Sequence, residues 1–154
     1  MKLVPTRRTD YAIRSLLYMA QHDGDRATAA SIAEAMLIPV GFLHQVLQTL
    51  QRGGLITSRP GRGGGYALAH APGDISILQI VETLEGPFDA SECALREGPC
   101  HWDDVCALHW VWSSAREALV DRLGAATLAQ VAADDHALAE GRKEIPPDSH
   151  RRQG

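Results

Sequence analysis

Apolar side chains recur at the three- and four-residue spacing of an α-helix in six separate segments of the chain. Two shorter segments, which flank a glycine-rich stretch between the third and fourth helices, are predicted as β-strands. The predicted helices cover residues 6–22, 27–36, 40–52, 77–85, 106–123 and 127–133, and the predicted strands cover residues 55–58 and 66–69. We therefore expect a mainly α-helical fold with one small β-hairpin.

The second and third predicted helices are joined by a three-residue turn that ends at Pro39, which is typical of a helix-turn-helix. The apolar stripe of the third helix consists of Leu43, Val46, Leu47 and Leu50. The opposite face carries side chains that can reach base edges in the major groove of DNA. These candidate DNA-binding residues are His44, Gln45, Gln48, Thr49 and Arg52. Two ordinary surface helices would show the same spacing, so the pattern alone leaves both interpretations open.

The predicted hairpin has a cationic, glycine-rich tip at residues 59–65. Glycine lets the backbone approach phosphates closely, and arginine supplies charge or enters the minor groove. The tip lacks the Gly-Lys-Ser/Thr ending of a Walker loop, and Tyr66 stands where a dinucleotide fingerprint needs its last glycine. We predict the wing of a winged helix, with a plain hairpin turn as the alternative. Its candidate DNA-binding residues are Arg59, Arg62, Gly63 and Gly64.

The fifth predicted helix carries an apolar stripe at nearly heptad spacing. The stripe consists of Leu108, Trp112, Ala115, Leu119 and Leu123. It could pack on the protein's own core, but winged helices that recognise operators usually need two copies, which favours a homodimer seam. We divide the chain into a winged helix-turn-helix region at 1–86, a cysteine-containing loop at 87–106, a dimerisation helix and a last short helix at 106–140, and a disordered tail at 141–154.

The composition is that of a globular protein and contains no sign of a leader or a membrane span. Apolar residues make up 45% and charged residues 22% of the 154 residues, which is typical of a globular chain. The first residues contain no apolar leader, and no segment approaches the roughly 20 apolar residues of a membrane span. We therefore expect a cytoplasmic protein with no membrane partner. No set of nucleophile, base and orienting group is evident, so we do not expect an enzyme.

The net charge of −4 is unevenly distributed along the chain. Residues 1–66 contain eight lysines and arginines against four acids, whereas residues 67–154 contain seven against fifteen. The first part is therefore suited to bind an anion such as DNA, and the second is not, although chance asymmetry is the alternative.

Three cysteines, Cys93, Cys100 and Cys106, are separated by six and five residues, and His109 follows. Three cysteines cannot all pair within one chain, and cytoplasmic thiols stay reduced, so metal binding or redox sensing is favoured. Cys106 is predicted to begin a helix, whose dipole would stabilise a thiolate. Zinc sites usually have closer ligand pairs and a thiol switch needs only two cysteines, whereas an iron–sulfur cluster tolerates this spacing. The cluster is favoured, zinc and the switch remain alternatives, and the fourth ligand must be another residue.

Three stretches together resemble the BadM/Rrf2 family of winged-helix regulators over residues 1–138. They are the segment TDYAIRSLLYMA at 9–20, the wing GRGGGY at 61–66 and the three-cysteine loop. The resemblance implies a homodimer on a double-stranded DNA operator and an iron–sulfur cluster held by the three cysteines. In one departure, Pro60 separates Arg59 from the first glycine of the wing, so the minor-groove contact is expected to differ.

Two branches of the family imply different fourth ligands. The nitric-oxide sensors (NsrR) resemble this chain in the opening helix and place an aspartate of the partner chain at the position of Asp10, on a 4Fe–4S cluster. The regulators of cluster biogenesis (IscR) place a histidine like His109 on a 2Fe–2S cluster. We expect Asp10, a 4Fe–4S cluster and a repressor that responds to nitric oxide or oxidants. The alternatives are the IscR type, a zinc-stabilised DNA binder without a sensing role, and a module that binds protein.

Overall fold

The computed structural model of the chain describes residues 6–22, 25–88 and 106–147. Helices predominate in this part of the chain, and one pair of strands lies between the third and fourth of them. The elements are α1 (Arg7–Gln21), α2 (Ala29–Met36), α3 (Val40–Arg52), β1 (Ile56–Arg59), β2 (Gly65–Leu68), a 3-10 turn (Pro72–Asp74), α4 (Ile77–Glu85), α5 (His109–Ala125) and α6 (Leu128–Ala139). The predicted mainly α-helical fold with one hairpin is confirmed.

Three helices begin at capping boxes. The N-cap residues Thr28, Ser76 and Thr127 each accept a hydrogen bond from the backbone N–H three residues later. The side-chain oxygen of that third residue accepts a hydrogen bond from the N-cap N–H, which pairs groups that a helix start otherwise leaves unpaired. These local signals explain why α2, α4 and α6 begin within two residues of their predicted starts.

A single hydrophobic core joins the helices. Its fully buried side chains include Leu16, Ile32, Leu43, Leu47, Leu50, Ile56, Ile80 and Leu128. Helix α1 contributes most to this arrangement, because α2, α3, α4 and α6 all pack against it. The buried positions of α3 are those of its predicted apolar stripe, so its polar face is left toward solvent.

The hairpin is antiparallel, with Ile56 opposite Leu68 and Arg59 opposite Gly65. Both strands lie one residue nearer the tip than predicted, because Arg59 and Gly65 still pair. Ala27 and Tyr66 exchange two backbone hydrogen bonds of 2.8 Å, which attach the hairpin to the segment before α2. The hairpin is thereby fixed beside the helix-turn-helix.

The predicted bounds of the last two helices need correction. Helix α5 begins at His109, and Cys106 lies in the preceding turn, where its carbonyl accepts the His109 N–H at 2.8 Å. Helix α6 continues to Ala139 rather than residue 133. Asp134 and Asp135 lie within the continued helix and are exposed, and Lys143 Nζ lies 2.5 Å from Asp134 Oδ2.

Most of the predicted cysteine loop lies outside the described residues, and so do Cys93 and Cys100. Of the predicted tail, residues 141–147 contain no further helix or strand, and residues 148–154 lie outside the described part. In the described ranges, no single helix is long and apolar enough to cross a membrane. The bent pair of α2 and α3 meets that test of length and composition only when the two are taken together.

Candidate DNA-binding surface and cluster ligands

The turn between α2 and α3 bends the chain by 116°, as in helix-turn-helix units. Leu37 takes left-handed backbone angles, with φ 53° and ψ 46°. The next N–H, of Ile38, donates to the carbonyl of Ala33 at 3.0 Å. Pro39 then stands at the N-cap of α3, so the direction in which α3 leaves the turn is restricted by the local backbone.

All five candidate residues of α3 lie on its solvent side. His44, Gln45, Gln48 and Arg52 are exposed, and Thr49 is half-buried. Arg52 Nη2 lies 3.5 Å from Gln48 Oε1, and Thr49 Oγ1 donates to the carbonyl of Gln45 at 3.0 Å. The structure therefore brings imidazole, amide and guanidinium groups together on one face of the helix.

Glycine is required at the tip of the hairpin by its geometry. Gly61 and Gly63 have φ of 89° and 74°, and open space surrounds both. The N–H of Gly64 donates to the carbonyl of Gly61 at 2.9 Å, and a Cβ at Gly64 would lie 2.2 Å from the carbonyl oxygen of Arg59. Arg59, at the end of β1, and Arg62, within this tight turn, are both exposed.

The fold adds two arginines that the sequence analysis missed. Arg8 is exposed at the start of α1, and its Nη2 donates to Thr49 Oγ1 of α3 at 3.4 Å. Arg26 donates from Nη1 to the carbonyl of Gly65 at 3.1 Å and so holds the start of β2, next to the tip of the hairpin. The basic pair at residues 7–8 was visible in the sequence, but its place beside α3 depends on tertiary packing.

This surface has an excess of positive charge. No acidic residue occurs between Glu34 and Asp74, a stretch that contains α3 and the whole hairpin, whereas Arg52, Arg59 and Arg62 lie within it. Arg8 adds a fourth guanidinium from α1. Arg8 also interacts electrostatically with the Glu85 carboxylate. Clustered positive charge attracts a polyanion and raises the rate of association with it.

Asp10, the first candidate for the fourth cluster ligand, lies on α1 and is paired with Arg14 one turn later. Arg14 Nη2 lies 2.8 Å from Asp10 Oδ2 and Arg14 Nε lies 3.0 Å from Asp10 Oδ1. The Asp10 side chain is nevertheless 47% exposed. Arg14 Nη1 also donates to the carbonyl of Met36, the last residue of α2, at 3.3 Å. One arginine thus connects the Asp10 carboxylate to the end of α2.

Glu85, at the end of α4, forms hydrogen bonds with the start of α1, a structural role that the sequence did not indicate. Its Oε1 accepts the backbone N–H of Thr6 at 3.2 Å and also the hydroxyl groups of Thr6 and the buried Thr9. Partial burial raises the pKa of Glu85, but the hydrogen bonds from Thr6 and Thr9, together with the charge of Arg8, have the larger effect and leave the pKa below its ordinary value. The residue after Glu85 begins the segment that leads to the cysteines.

The remaining candidate ligands are only partly described. Cys106 is half-buried and forms no disulfide. His109, at the first position of α5, has Nε2 3.4 Å from Ser113 Oγ and its ring edge-on to Trp110 at 6.3 Å. In the described ranges, no three His, Cys, Asp or Glu side chains are grouped as a metal site. The ligand set that includes Cys93 and Cys100 therefore stays a prediction.

Helix α5 lies on the rim of the protomer. It packs against α4, but none of its residues is buried. In the predicted seam, Trp112, Leu119 and Leu123 are half-buried, while Leu108 and Ala115 are exposed. Trp110 and Val111 at the start of the helix are each 66% exposed. A helix with this much uncovered apolar surface generally requires a partner surface.

The chain is similar over most of its length to a described family of regulators. The family model named Rrf2, described as an iron-dependent transcriptional regulator, matches residues 5–134. The protein rrf2 of Nitratidesulfovibrio vulgaris is 32% identical over 148 residues, which cover 96% of this chain and 97% of that protein. The transcriptional regulator IscR of Xenorhabdus nematophila is 29% identical over 134 residues, covering 86% of this chain and 81% of the relative.

A solved structure has the same architecture. The solved structure of CymR, the global cysteine regulator of B. subtilis, superposes with a TM-score of 0.74 at 27% sequence identity, covering 86% of this chain and 98% of that chain. This likeness confirms the predicted winged-helix fold.

Proposed function

Because the chain belongs to the Rrf2 family of DNA-binding transcriptional regulators, we propose that it acts as a redox- or nitric-oxide-responsive repressor. The observation that carries this proposal is the DNA-binding surface, defined as the outer face of α3, Arg8 and the tip of the hairpin. That surface combines side chains suited to base edges with four arginines, and its α3 and hairpin parts lie in a stretch without acids.

In this proposal α3 enters the major groove of each half-site. His44, Gln45 and Gln48 face the base edges, because imidazole and amide groups match the donors and acceptors exposed there. Thr49 and Arg52 lie beside them on the same face. The hairpin approaches the adjacent backbone or minor groove, where Gly63 and Gly64 leave room and Arg59 and Arg62 meet phosphates.

The chemistry of the cysteine constellation fits an iron–sulfur cluster. Cys93, Cys100 and Cys106 would supply three thiolates, and the half-exposed Asp10 of the partner subunit would supply the fourth ligand. A carboxylate paired with one arginine keeps lone pairs for a metal, and such outer-shell pairing orients a ligand. When bound, a cluster with one non-cysteine ligand supplies reactivity toward nitric oxide and oxidants. The 4Fe–4S form is the one we favour.

A second ligand arrangement is favoured by one observation. IscR is among the relatives, and His109 is exposed within one turn of Cys106. A 2Fe–2S cluster completed by His109 would make the protein a regulator of iron–sulfur cluster biogenesis. The two arrangements differ in the number of irons and in which variant loses them.

The residues of α1 and α2 provide a route from the ligand to the DNA-binding helix. Arg14 holds Asp10 with two donors and the carbonyl of Met36 with a third. Met36 ends α2, and the turn that orients α3 begins at the next residue. A change in how the Asp10 carboxylate is bound therefore reaches the α2–α3 turn through one guanidinium, and this biases the population of the DNA-binding state.

The homodimer is required by this ligand arrangement, since Asp10 would reach the cluster from the other chain. The exposed Leu108, Trp110 and Val111 lie at the start of α5, directly after Cys106. A dimer seam along α5 would cover these side chains and bring the cysteine-bearing segment of one chain to the other. Two joined copies would also present two recognition helices to a two-fold symmetric operator.

The proposal is tested by purifying the protein anaerobically and counting iron and sulfide per chain, followed by an absorbance titration with nitric oxide. About four irons with a broad visible band that nitric oxide bleaches support the Asp10 arrangement. About two irons support the His109 arrangement. A colourless protein with one zinc would overturn the sensing role and leave a zinc-stabilised DNA binder. Failure to retain any duplex DNA would overturn the repressor function and favour a module that binds protein.

A further inference from the structure

Exposed apolar side chains in the described residues fall into two groups and one isolated residue, Ile145. One group is the start of α5. The other lies around the α2–α3 turn, where Leu37, Val40 and Phe42 are 74%, 51% and 57% exposed. A group of exposed apolar residues on a surface otherwise suited to DNA calls for an explanation, because apolar side chains make no favourable contact with water or with phosphates.

Val40 occupies a particular place in this second group. It is the first residue of α3 and lies one helical turn before His44, on the same side of the helix. The first turn of a recognition helix is the part that contacts base edges. Phe42, by contrast, lies toward α1, with its ring 6.4 Å from that of Tyr11.

The sequence that follows Val40 suits DNA better than a second protein surface. His44 and Gln45 follow it on the exposed side of α3, and no acidic residue occurs from Leu37 to Gly73. The major groove offers a β-branched apolar side chain only one apolar group, the C5-methyl of thymine. Electrostatic attraction would bring the surface to the groove, and the apolar contact would then discriminate between bases.

We propose that Val40 is a specificity-determining residue that contacts the 5-methyl group of a thymine in each half-site of the operator. This inference deepens the proposed DNA-binding function and rests on it. The contact removes one methyl group and the Val40 side chain from water. It discriminates between bases without a hydrogen bond, so the protein would bind a duplex with cytosine or uracil at that position less tightly than one with thymine.

The test uses the duplex that the anaerobically purified full chain enriches most strongly from a random-sequence library. Each thymine of that duplex is replaced in turn by deoxyuridine, which removes only the methyl group. At the thymine facing Val40, we expect the wild-type protein to bind about fourfold more weakly after replacement, the effect of one buried methyl group. Val40→Ala should bind the thymine duplex less tightly and lose its sensitivity to deoxyuridine there. Ile145→Ala, which removes an equally exposed apolar side chain elsewhere, should behave like wild type.

Three results would overturn the inference while leaving DNA binding intact. They are equal wild-type affinity for thymine and deoxyuridine at every position, undiminished sensitivity in Val40→Ala, and an enriched duplex whose half-sites contain no thymine. A change in oligomeric state in Val40→Ala, without a change in DNA affinity, would assign the residue to a protein contact and also overturn it. Absence of any enriched duplex would instead overturn the DNA-binding function itself.

Discussion

Arg14 holds both carboxylate oxygens of Asp10 on α1 with Nε and Nη2, and its third nitrogen, Nη1, donates to the carbonyl of the last residue of α2. A bidentate arginine fixes the plane of a carboxylate, which a lysine does not. The geometry therefore gives Asp10 an orientation before any partner approaches, and it places the arginine between the candidate ligand and the turn that directs α3.

Replacement of Arg14 by alanine is expected to make a bound cluster about tenfold more labile, since outer-shell partners of metal ligands have effects of this size. Asp10→Ala should have at least the same effect, and His109→Ala should have none. The measurement is the rate at which visible absorbance and acid-labile sulfide are lost in air. Loss in His109→Ala, with Arg14→Ala and Asp10→Ala unchanged, would contradict the Asp10 arrangement and support a 2Fe–2S site.

Arg8→Ala is expected to reduce the salt dependence of DNA binding. The guanidinium lies beside Thr49 at the edge of the recognition face, so it can neutralise one phosphate. Removing that contact should lower the slope of log affinity against log salt by about one unit and weaken binding to all sequences alike. Arg142→Ala, which changes an exposed arginine paired with Glu140 after α6, is the control. Equal slopes for wild type and Arg8→Ala would exclude a phosphate contact there.

The sequence predicted well what depends on local spacing. The buried stripe Leu43–Leu50 determines the outward face of α3, and the glycines at 61–65 indicate the tight tip. Helix limits were predicted less accurately where local signals are weak. The start of α5 is an example, because its N-cap residue, Leu108, provides no capping side chain. The contacts Arg8–Thr49, Arg14–Met36 and Thr9–Glu85 span 41, 22 and 76 residues, and no periodicity in one sequence indicates such pairs.

We expect Glu85 to make the free energy of unfolding depend on pH in the acidic range. Its pKa is lowered in the folded protein from an ordinary value of 4.5, so its contribution is complete at neutral pH. That contribution is lost as the pH falls below 4.5 through the folded pKa. Glu85→Gln should be about 1 kcal/mol less stable at pH 7, because screening at this exposed site reduces the value of a charged hydrogen bond. Urea denaturation at pH 7 and pH 4 should show the difference between the two proteins narrowing; a constant difference would contradict the charge-based explanation.

Leu37→Gly is expected to stabilise the protein. Leu37 has a φ of 53° and is 74% exposed, so the substitution relieves an unfavourable left-handed conformation and gives up little packing. The expected gain is about 1 kcal/mol, reduced by the greater freedom of glycine in the unfolded chain. Leu37→Ala removes the same apolar surface but keeps the Cβ, so it should not be stabilised. An equal rise in melting temperature for both variants would assign the gain to the lost side chain rather than to the backbone.

Val111→Asp is expected to convert the proposed homodimer to a monomer. Val111 is 66% exposed in the protomer and lies beside Trp110 on a helix of 17 residues, about 25 Å long. In the variant, each chain would bury a carboxylate in the apolar seam. The loss of hydration of the two carboxylates and the repulsion between them would destabilise the dimer. Sedimentation or light scattering should show half the wild-type mass, whereas Ile145→Asp, which likewise replaces an exposed aliphatic side chain by a carboxylate but outside α5, should remain dimeric. Because Asp10 would reach the cluster from the partner, the monomer should also fail to retain iron. A Val111→Asp protein that stays dimeric would place the seam elsewhere, and a monomer with a full complement of iron would show that all the ligands come from one chain.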